Sequence, residues 1–196
     1  MIITAKEIAE LRAKTGLPMM EVKSALIEAR GDEEEAIKIL RKRGLSKLAK
    51  RVERETKSGL IESYIHDGKI GVLVEVLTET DFVAKNSDFK EFVHNIALHI
   101  AAANPKYVSR EEIPAADLDK EKQILTDEAK ATGKPEEIAK KIVEGKLNNF
   151  YLEVCLLDQP FIKDQDRKIG EMLTDLVSKI GEKIVISRFT RFELGK

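Results

Sequence analysis

Residues 70–86 read IGVLVEVLTETDFVAKN, a β-branched and mostly apolar run that ends in a short polar corner with one phenylalanine. The run 70–78 has the composition of a strand, whereas the residues after the corner place apolar side chains at helical spacing. Thr80 or Asp81 can cap that helix, because a short side-chain oxygen accepts a hydrogen bond from a free backbone N–H. The sequence therefore predicts a strand-to-helix corner from which the ring of Phe82 projects. The alternative is that this ring packs as a staple into the protein's own core.

Two further strands are predicted around this corner. Asp67-Gly68 follows the β-rich run 60–65, and Asp-Gly between two such runs is a strong hairpin signal because both residues tolerate positive φ. Near the end of the chain, the β-rich run 184–192 can pair with the hairpin. Between them, helical patterns are separated by Asn, Pro and Gly signals, over residues 89–103, 115–131, 135–144, 148–157 and 169–180. The sequence predicts an α+β core over residues 55–196, with helices packed on an antiparallel three-stranded sheet.

The first 54 residues carry three short helical patterns and predict a three-helix module with a linker helix. Cap and stop residues indicate the limits of these helices: Thr4, Glu7 and Gly16 for the first, Pro18 and Gly31 for the second, and Asp32 and Gly44 for the third. Met19 is expected in the apolar stripe of the second helix, together with Val22, Leu26 and Ala29. The sparse apolar pattern over residues 45–57 predicts the linker helix.

Residues 41–57 form a basic segment, with eight Lys or Arg residues against two Glu residues. Such a segment raises the hypothesis of a nucleic-acid-binding patch. No aromatic residue is interleaved to stack on a base, so a solvated face of the linker is the better interpretation.

Composition and charge restrict the function classes. The chain has 196 residues, 42% of them hydrophobic, which suffices for a packed core. Its net charge of −1 gives no overall field that attracts nucleic acid. Cys155 cannot form an internal disulfide and is expected to be buried, which suits a reducing cytosol. Since no apolar run approaches the roughly 18 residues of a membrane span and no signal-peptide pattern is present, we expect a cytoplasmic protein without a membrane partner.

The sequence offers no pattern of catalytic chemistry. Its Gly-Lys pairs lack the preceding glycine and the following hydroxyl of a phosphate-binding loop. His94 and His99 are five residues apart, about 140° around a helix, and form no two-ligand metal face. We therefore expect a protein that acts by binding, not an enzyme, with no catalytic residue, no metal and no cofactor.

The corner motif, Thr-Asp-Phe-Val over residues 80–83 followed by Ala-Lys-Asn, resembles the signature of the elongation factor Ts family. Further islands follow in the family's order: TGLPMMEVK (15–23), GDEEEA (31–36), HIAAANP (99–105), GKPEEIA (133–139), QPF (159–161) and RFELG (191–195). Because these islands run from one end of the chain to the other, a chance match is very unlikely. The resemblance also implies that the N-terminal module is of the ubiquitin-associated type.

This resemblance implies a guanine-nucleotide exchange factor of the translation GTPase elongation factor Tu. Phe82 would then wedge between two helices of the GTPase, beside its magnesium and phosphate region. The family's remaining partner-facing positions match Thr80, Asp81 and Val83 at the corner, and Arg12, Met19, Met20 and Lys23 in the N-terminal module. Both the GDP-bound and the nucleotide-free GTPase would be partners.

The sequence also bears on the oligomeric state of the protein and leaves two alternative functions open. Longer members of the family resemble a duplicated core, whereas this chain has one hairpin, one wedge motif and one closing strand. The resemblance to short members implies a non-covalent homodimer that binds two GTPase molecules. The rivals are a nucleic-acid or ribosome-associated factor that uses residues 41–57, and an adaptor of the ubiquitin-associated type. Neither rival explains Phe82.

Overall fold

The computed structural model describes residues 3–49, 53–131 and 135–196, without the side chains of residues 45 and 47–49. Its helices are α1 (Ala5–Thr15), α2 (Met19–Glu28), α3 (Glu33–Ala49), α4 (Asp81–Ala84), α5 (Ser87–Ala103), α6 (Ala115–Ala131), α7 (Glu136–Val154) and α8 (Ile169–Ile180). Its strands are β1 (Ser58–His66), β2 (Ile70–Thr78), β3 (Pro160–Phe161), β4 (Asp164–Lys168) and β5 (Ile184–Glu193). Short 3-10 helices cover Arg110–Glu112 and Leu156–Asp158. The predicted α+β class is confirmed, with N-terminal helices ahead of a three-stranded antiparallel sheet packed with helices.

The main sheet has the strand order β1-β2-β5. Asp67 and Gly68 have φ values of 49° and 66°, so the β1-β2 hairpin turns as its Asp-Gly signal predicts. Strand β2 alternates, and it buries Val72, Val74 and Val76 on one face. The closing strand β5 lies beside β2 as predicted. The small antiparallel pair β3-β4 was not predicted, because two and five residues are too short for a periodic signal.

The N-terminal helices α1, α2 and α3 surround a small apolar core. The Thr4–Glu7 capping box is present, and Gly16 ends α1 with a φ of 66°. Asp32 caps α3, since its side chain accepts a hydrogen bond from the Glu35 backbone N–H at 2.9 Å. The buried cluster consists of Ile8, Leu11, Leu17, Val22, Ala25, Leu26, Ala29, Ala36 and Leu40.

The predicted end of the third helix at Gly44 is wrong, because α3 continues through it to Ala49. Tertiary packing explains the glycine. A Cβ atom added to Gly44 would lie 2.7 Å from the Ser178 hydroxyl oxygen and 3.1 Å from Thr174 Cγ2. The predicted linker helix includes residues 50–52, which lie outside the described residues, while residues 53–57 are not helical.

The predicted break between two helices at Gly145 is also wrong, because α7 is continuous. Gly145 lies in open space, with no atom within 4 Å of an added Cβ. A single interior glycine costs a helix only about 1 kcal/mol relative to alanine, which packing of the other residues offsets. Helices α6 and α7 pack against each other.

The chain forms two compact units. The first comprises Met1–Ile61, Glu75–Val93 and Glu171–Ile186, and the second comprises Glu62–Val74, His94–Gly170 and Ser187–Lys196. The predicted division at residues 54 and 55 stays a prediction. Within the described ranges, no helix is both long enough and apolar enough to span a membrane.

Candidate partner-binding site

The corner after β2 is built from two successive helix caps. The Thr80 hydroxyl accepts a hydrogen bond from the Val83 backbone N–H at 3.4 Å and caps the one-turn helix α4. The Asn86 side chain then accepts from the backbone N–H of Asp88 at 2.8 Å and of Phe89 at 3.3 Å. The sequence pattern treated these turns as one helix capped by Thr80 or Asp81. Asn86 is instead the cap of α5.

The corner is fixed by a carboxylate from beyond α8. Glu182 accepts hydrogen bonds from the Thr80 backbone N–H at 3.0 Å and from the Thr80 hydroxyl at 2.7 Å. The same carboxylate accepts from the Thr78 hydroxyl at 3.0 Å. A reciprocal hydrogen bond links the same two segments, because the Glu79 carboxylate accepts from the Lys183 backbone N–H at 2.6 Å. The sequence gives no signal for Glu182, because it lies 102 positions away from Thr80.

The ring of Phe82 points away from the protein, with 83% of the residue exposed. Its neighbours Val83 and Ala84 are buried, so α4 is anchored on one side and open on the other. The alternative of a ring stapled into the core is therefore wrong. Asp81 forms an ion pair with Lys85 at 2.5 Å, and both side chains are largely exposed. Such a surface pair contributes little to stability and leaves the Asp81 carboxylate accessible.

The predicted docking residues of α1 and α2 are also on the surface. Met19 is 52% exposed and Met20 is 71% exposed, while Arg12 and Lys23 are exposed as well. The expectation that Met19 belongs to the buried stripe of α2 is therefore wrong. The structure adds one residue to the set, because Ile27 is 56% exposed and lies seven positions after Met20.

Met20, Lys23 and Ile27 share one side of α2, since residues three and seven positions apart lie on the same side of a helix. We call these three residues together with Met19 the docking strip. Ile27 was missed because an apolar residue at helical spacing is by default assigned to the core. The docking strip and the corner belong to the same compact unit.

A sequence model of one protein family, described as Elongation factor TS, matches residues 3–196. The chain belongs to the elongation factor Ts family. A relative named elongation factor Ts from Alkaliphilus oremlandii is 56% identical over 196 residues, which cover all of this chain and 91% of that protein. One from Acetivibrio thermocellus is 55% identical with the same coverage, and one from Fervidobacterium nodosum is 53% identical over the whole of both chains. Membership in the elongation factor Ts family makes this chain a translation elongation factor.

The basic segment of this elongation factor Ts family member is largely ion-paired where it is described. Arg43 binds Glu28 at 2.6 Å, Arg54 binds Glu79 at 3.2 Å, and Arg41 lies 3.8 Å from Glu171. The side chains of Lys47, Lys50 and Arg51 lie outside the described residues. The paired arginines favour the solvated-face interpretation of residues 41–57 over a nucleic-acid patch.

Two histidines and the cysteine have structural surroundings in this elongation factor Ts family member. His94 is exposed, with Nδ1 3.2 Å from Glu62, whereas His99 is buried, with Nε2 2.9 Å from the Gln159 side-chain oxygen. Cys155 is fully buried as predicted, and desolvation raises the pKa of its thiol to about 11. Over residues 3–49, 53–131 and 135–196, no group of three His, Cys, Asp or Glu residues is placed to hold a metal ion.

The second compact unit carries an exposed apolar face at the turn end of the β1-β2 hairpin. Ile65, Phe192 and Leu194 line a shallow hollow there, and each is more than two-thirds exposed. The Leu194 backbone N–H donates to the Lys69 carbonyl at 2.8 Å, which fixes the end of β5 beside the hairpin turn. We call these three residues the outer sheet face.

Proposed function

We propose that this chain binds elongation factor Tu in its GDP-bound and nucleotide-free forms and promotes release of GDP, so that GTP can bind. An exchange factor that prefers the nucleotide-free partner must weaken nucleotide binding by the same factor, because coupling between two ligands is reciprocal. No covalent bond needs to be made or broken. The chain is therefore not an enzyme, and it works in the cytoplasm with the translation machinery.

The observation that carries the proposal is the exposed ring of Phe82 on a corner that Glu182 holds in place. The ring enters between two helices of the GTPase beside its magnesium and phosphate region. Burying a phenyl ring contributes about 1.5–3 kcal/mol, enough to bias a packed element between two arrangements. Because the corner is already ordered, little of this gain is lost to ordering it on binding.

The residues around the ring have supporting roles. Asp81 offers its exposed carboxylate to the partner, and Thr80 holds the start of α4. The side chain of Val83 is buried, so we assign it to support of the corner. Any contact of Val83 with the partner is then made by its backbone. Among residues 80–83, the exposed apolar side chain is the Phe82 ring.

The docking strip and Arg12 hold the GTPase while the ring acts. Thioether side chains are flexible and polarizable, which suits Met19 and Met20 to an apolar surface of a partner helix. Lys23 and Arg12 lie exposed and add positive charge to this surface. The rim charges set orientation, while the apolar residues supply most of the affinity.

A second copy of the chain covers the outer sheet face. Ile65 lies on β1 and Phe192 on β5, the two edge strands of the main sheet, and Leu194 follows β5 directly. Large apolar side chains that stay exposed at the edges of a sheet are a liability. Pairing about a two-fold axis buries the same patch on both copies. The dimer is non-covalent because Cys155 is buried, and each GTPase touches both copies.

Release of labelled GDP from elongation factor Tu tests the proposal. The full chain should accelerate release, and Phe82→Ala should abolish most of that acceleration without changing the thermal midpoint. Ile124→Ala is the matched control, since it also trims an exposed apolar side chain, but on α6 in the other compact unit. The proposal is wrong if the chain has no effect on GDP release. The wedge is wrong if Phe82→Ala retains full activity.

A further inference from the structure

Residues 174–183, which run from the middle of α8 to just beyond its end, contact both the N-terminal helix α3 and the corner. Toward the N-terminal helices, Thr174 and Ser178 lie against Gly44 of α3. Toward the corner, Glu182 binds Thr80 through two hydrogen bonds. All of these residues belong to one compact unit. We call residues 174–183 the bracket.

Gly44 allows the bracket to approach α3 closely. An added Cβ would lie 2.7 Å from the Ser178 hydroxyl oxygen, closer than real Cβ atoms come to any neighbour. That hydroxyl is buried and bonds to no atom of the described structure, so the contact is packing and not a hydrogen bond. A glycine in the middle of a helix weakens it, and here the close approach of α3 to α8 is the compensating gain.

Lys179 joins the same two regions a second time. The carbons of its side chain lie 3.5 Å from the Cβ position of Gly16, which ends α1 just before the docking strip. Its ammonium group pairs with Asp88 at 2.9 Å, in the first turn of α5 and directly after the corner. The Lys179 side chain thus spans from Gly16, just before the docking strip, to α5, the helix that follows Phe82.

We infer that the bracket fixes the spacing between the docking strip and Phe82, with Gly44 and Lys179 as positioning residues for nucleotide exchange. This inference rests on the proposed function. Two contacts held at a fixed spacing reinforce each other, because the first to bind raises the effective concentration of the second. A loose module would bind the GTPase without presenting the ring at the correct place.

The first test measures the GDP release from elongation factor Tu that the Gly44→Ala variant stimulates. The added methyl group pushes α3 away from α8, so the value of kcat/KM for GDP release should fall about tenfold as the two contacts lose their linkage. Combining Gly44→Ala with Ser178→Ala and Thr174→Ser removes both crowding atoms and should restore activity. Gly145→Ala is the matched control, since it makes the same change within α7 where nothing is near.

A second test needs no GTPase and therefore separates failure of the bracket from failure of the proposed function. Spin labels at Glu34→Cys on α3 and Glu91→Cys on α5 report the spacing across the first compact unit. Both sites are exposed, whereas Cys155 is buried. The label distance should be single and narrow in the parent protein, shifted or broadened with Gly44→Ala or Lys179→Gln, and restored in the triple variant.

The outcomes are separable. An unchanged label distance with Gly44→Ala and with Lys179→Gln refutes the bracket, whatever the exchange assay gives. A changed distance with normal exchange also refutes it, since the spacing would then not matter. If Gly44→Ala does not fold by circular dichroism, Lys179→Gln alone decides, because it only shortens a partly exposed side chain and removes its ion pair with Asp88.

Discussion

The carboxylate of Glu182 binds both donors of Thr80, the backbone N–H at 3.0 Å and the hydroxyl at 2.7 Å. The hydroxyl at the same time accepts a hydrogen bond from the Val83 backbone N–H, so it works as donor and acceptor at once. Hydrogen bonds to an ionised group are stronger than neutral ones. Glu182 therefore fixes the geometry of the corner although it lies 102 positions away from Thr80 in the sequence.

We expect Glu182→Ala to lower the free energy of unfolding by about 2 kcal/mol, since it leaves the buried Thr78 hydroxyl, as well as the Thr80 donors, without their charged acceptor. GDP release should slow as well, because α4 would no longer be fixed. Glu182→Gln retains one acceptor oxygen, so its free energy of unfolding and its rate of GDP release should lie between those of the parent and of Glu182→Ala. Urea denaturation and GDP release, each with Glu91→Ala as an exposed control on α5, check the order. Equal stability of all four proteins would contradict it.

Truncation of the docking strip should weaken binding and not folding. Met20→Ala and Ile27→Ala each remove an exposed apolar side chain and should raise the dissociation constant of the complex about tenfold, as for moderate interface positions. Ile138→Ala trims an exposed side chain on α7 and should leave affinity unchanged. Isothermal titration with elongation factor Tu makes the comparison. If Ile27→Ala matches Ile138→Ala, the docking strip ends at Lys23.

The outer sheet face should hold two copies together at micromolar concentration. Sedimentation equilibrium is expected to give twice the chain mass of 22.1 kDa. Phe192→Glu places a charge on this face and should give a monomer, because an unpaired charge is costly to bury. Ile138→Glu adds the same charge elsewhere and should stay dimeric. A parent protein that sediments at the chain mass would rule out the dimer.

Acidification should destabilise the protein through His99. The Gln159 amide nitrogen donates to the Glu153 carbonyl at 2.8 Å, so its oxygen is left to accept from His99 Nε2–H. Nδ1 is buried, and no partner for it lies in the described part of the chain. Desolvation lowers the pKa of His99 below its ordinary value of 6.5, although the hydrogen bond with Gln159 opposes the shift.

With a lowered folded pKa, the unfolded chain binds the proton more readily. The contribution of neutral His99 is therefore complete above the unfolded pKa and is lost as the pH falls toward the folded pKa. As the pH falls below the unfolded pKa, we expect His99 to lower the free energy of unfolding by at most about 1.4 kcal/mol per pH unit. Urea denaturation should show a flatter pH dependence for His99→Gln, while His94→Gln should follow the parent. Identical slopes for the three proteins would exclude His99 as the source.

The thiol of Cys155 should be inert in the folded protein. Its pKa of about 11 keeps it protonated at pH 8, and the thiolate is the reactive form. Reaction with Ellman's reagent should thus be slow in buffer and rapid in denaturant, where the thiol regains its ordinary pKa. Rapid reaction in buffer would show that the region around Cys155 opens readily.

Features set by local chemistry could be predicted from the sequence, and features set by distant contacts could not. Asp67-Gly68 and the Thr4–Glu7 capping box depend only on neighbouring residues, and both are present. Gly44 and Gly145 look alike in the sequence, and both predict the end of a helix. In the structure one is tightly packed and the other lies in open space, a difference that only tertiary contacts create.

The candidate site divides in the same way. Phe82, Met20 and Lys23 could be found because motifs mark them, and all are exposed. Glu182 could not be predicted as part of the corner, because no local sequence pattern pairs it with Thr80, which is 102 positions away. The exposure of Ile27 could not be predicted, because an isoleucine at helical spacing usually belongs to the core.

The residues that maintain the corner are different from Phe82, the residue proposed to act on the partner. The corner's side-chain hydrogen bonds involve Thr78, Thr80 and Glu182, its buried anchors are Val83 and Ala84, and the side chain of Phe82 contributes to neither set. Most functional residues evolve under a compromise, because changes that improve activity tend to cost stability. At position 82 that compromise is nearly absent. If Phe82 contacts the GTPase as proposed, natural selection can adjust the strength of that contact, and with it the pace of nucleotide exchange, without a penalty in folding.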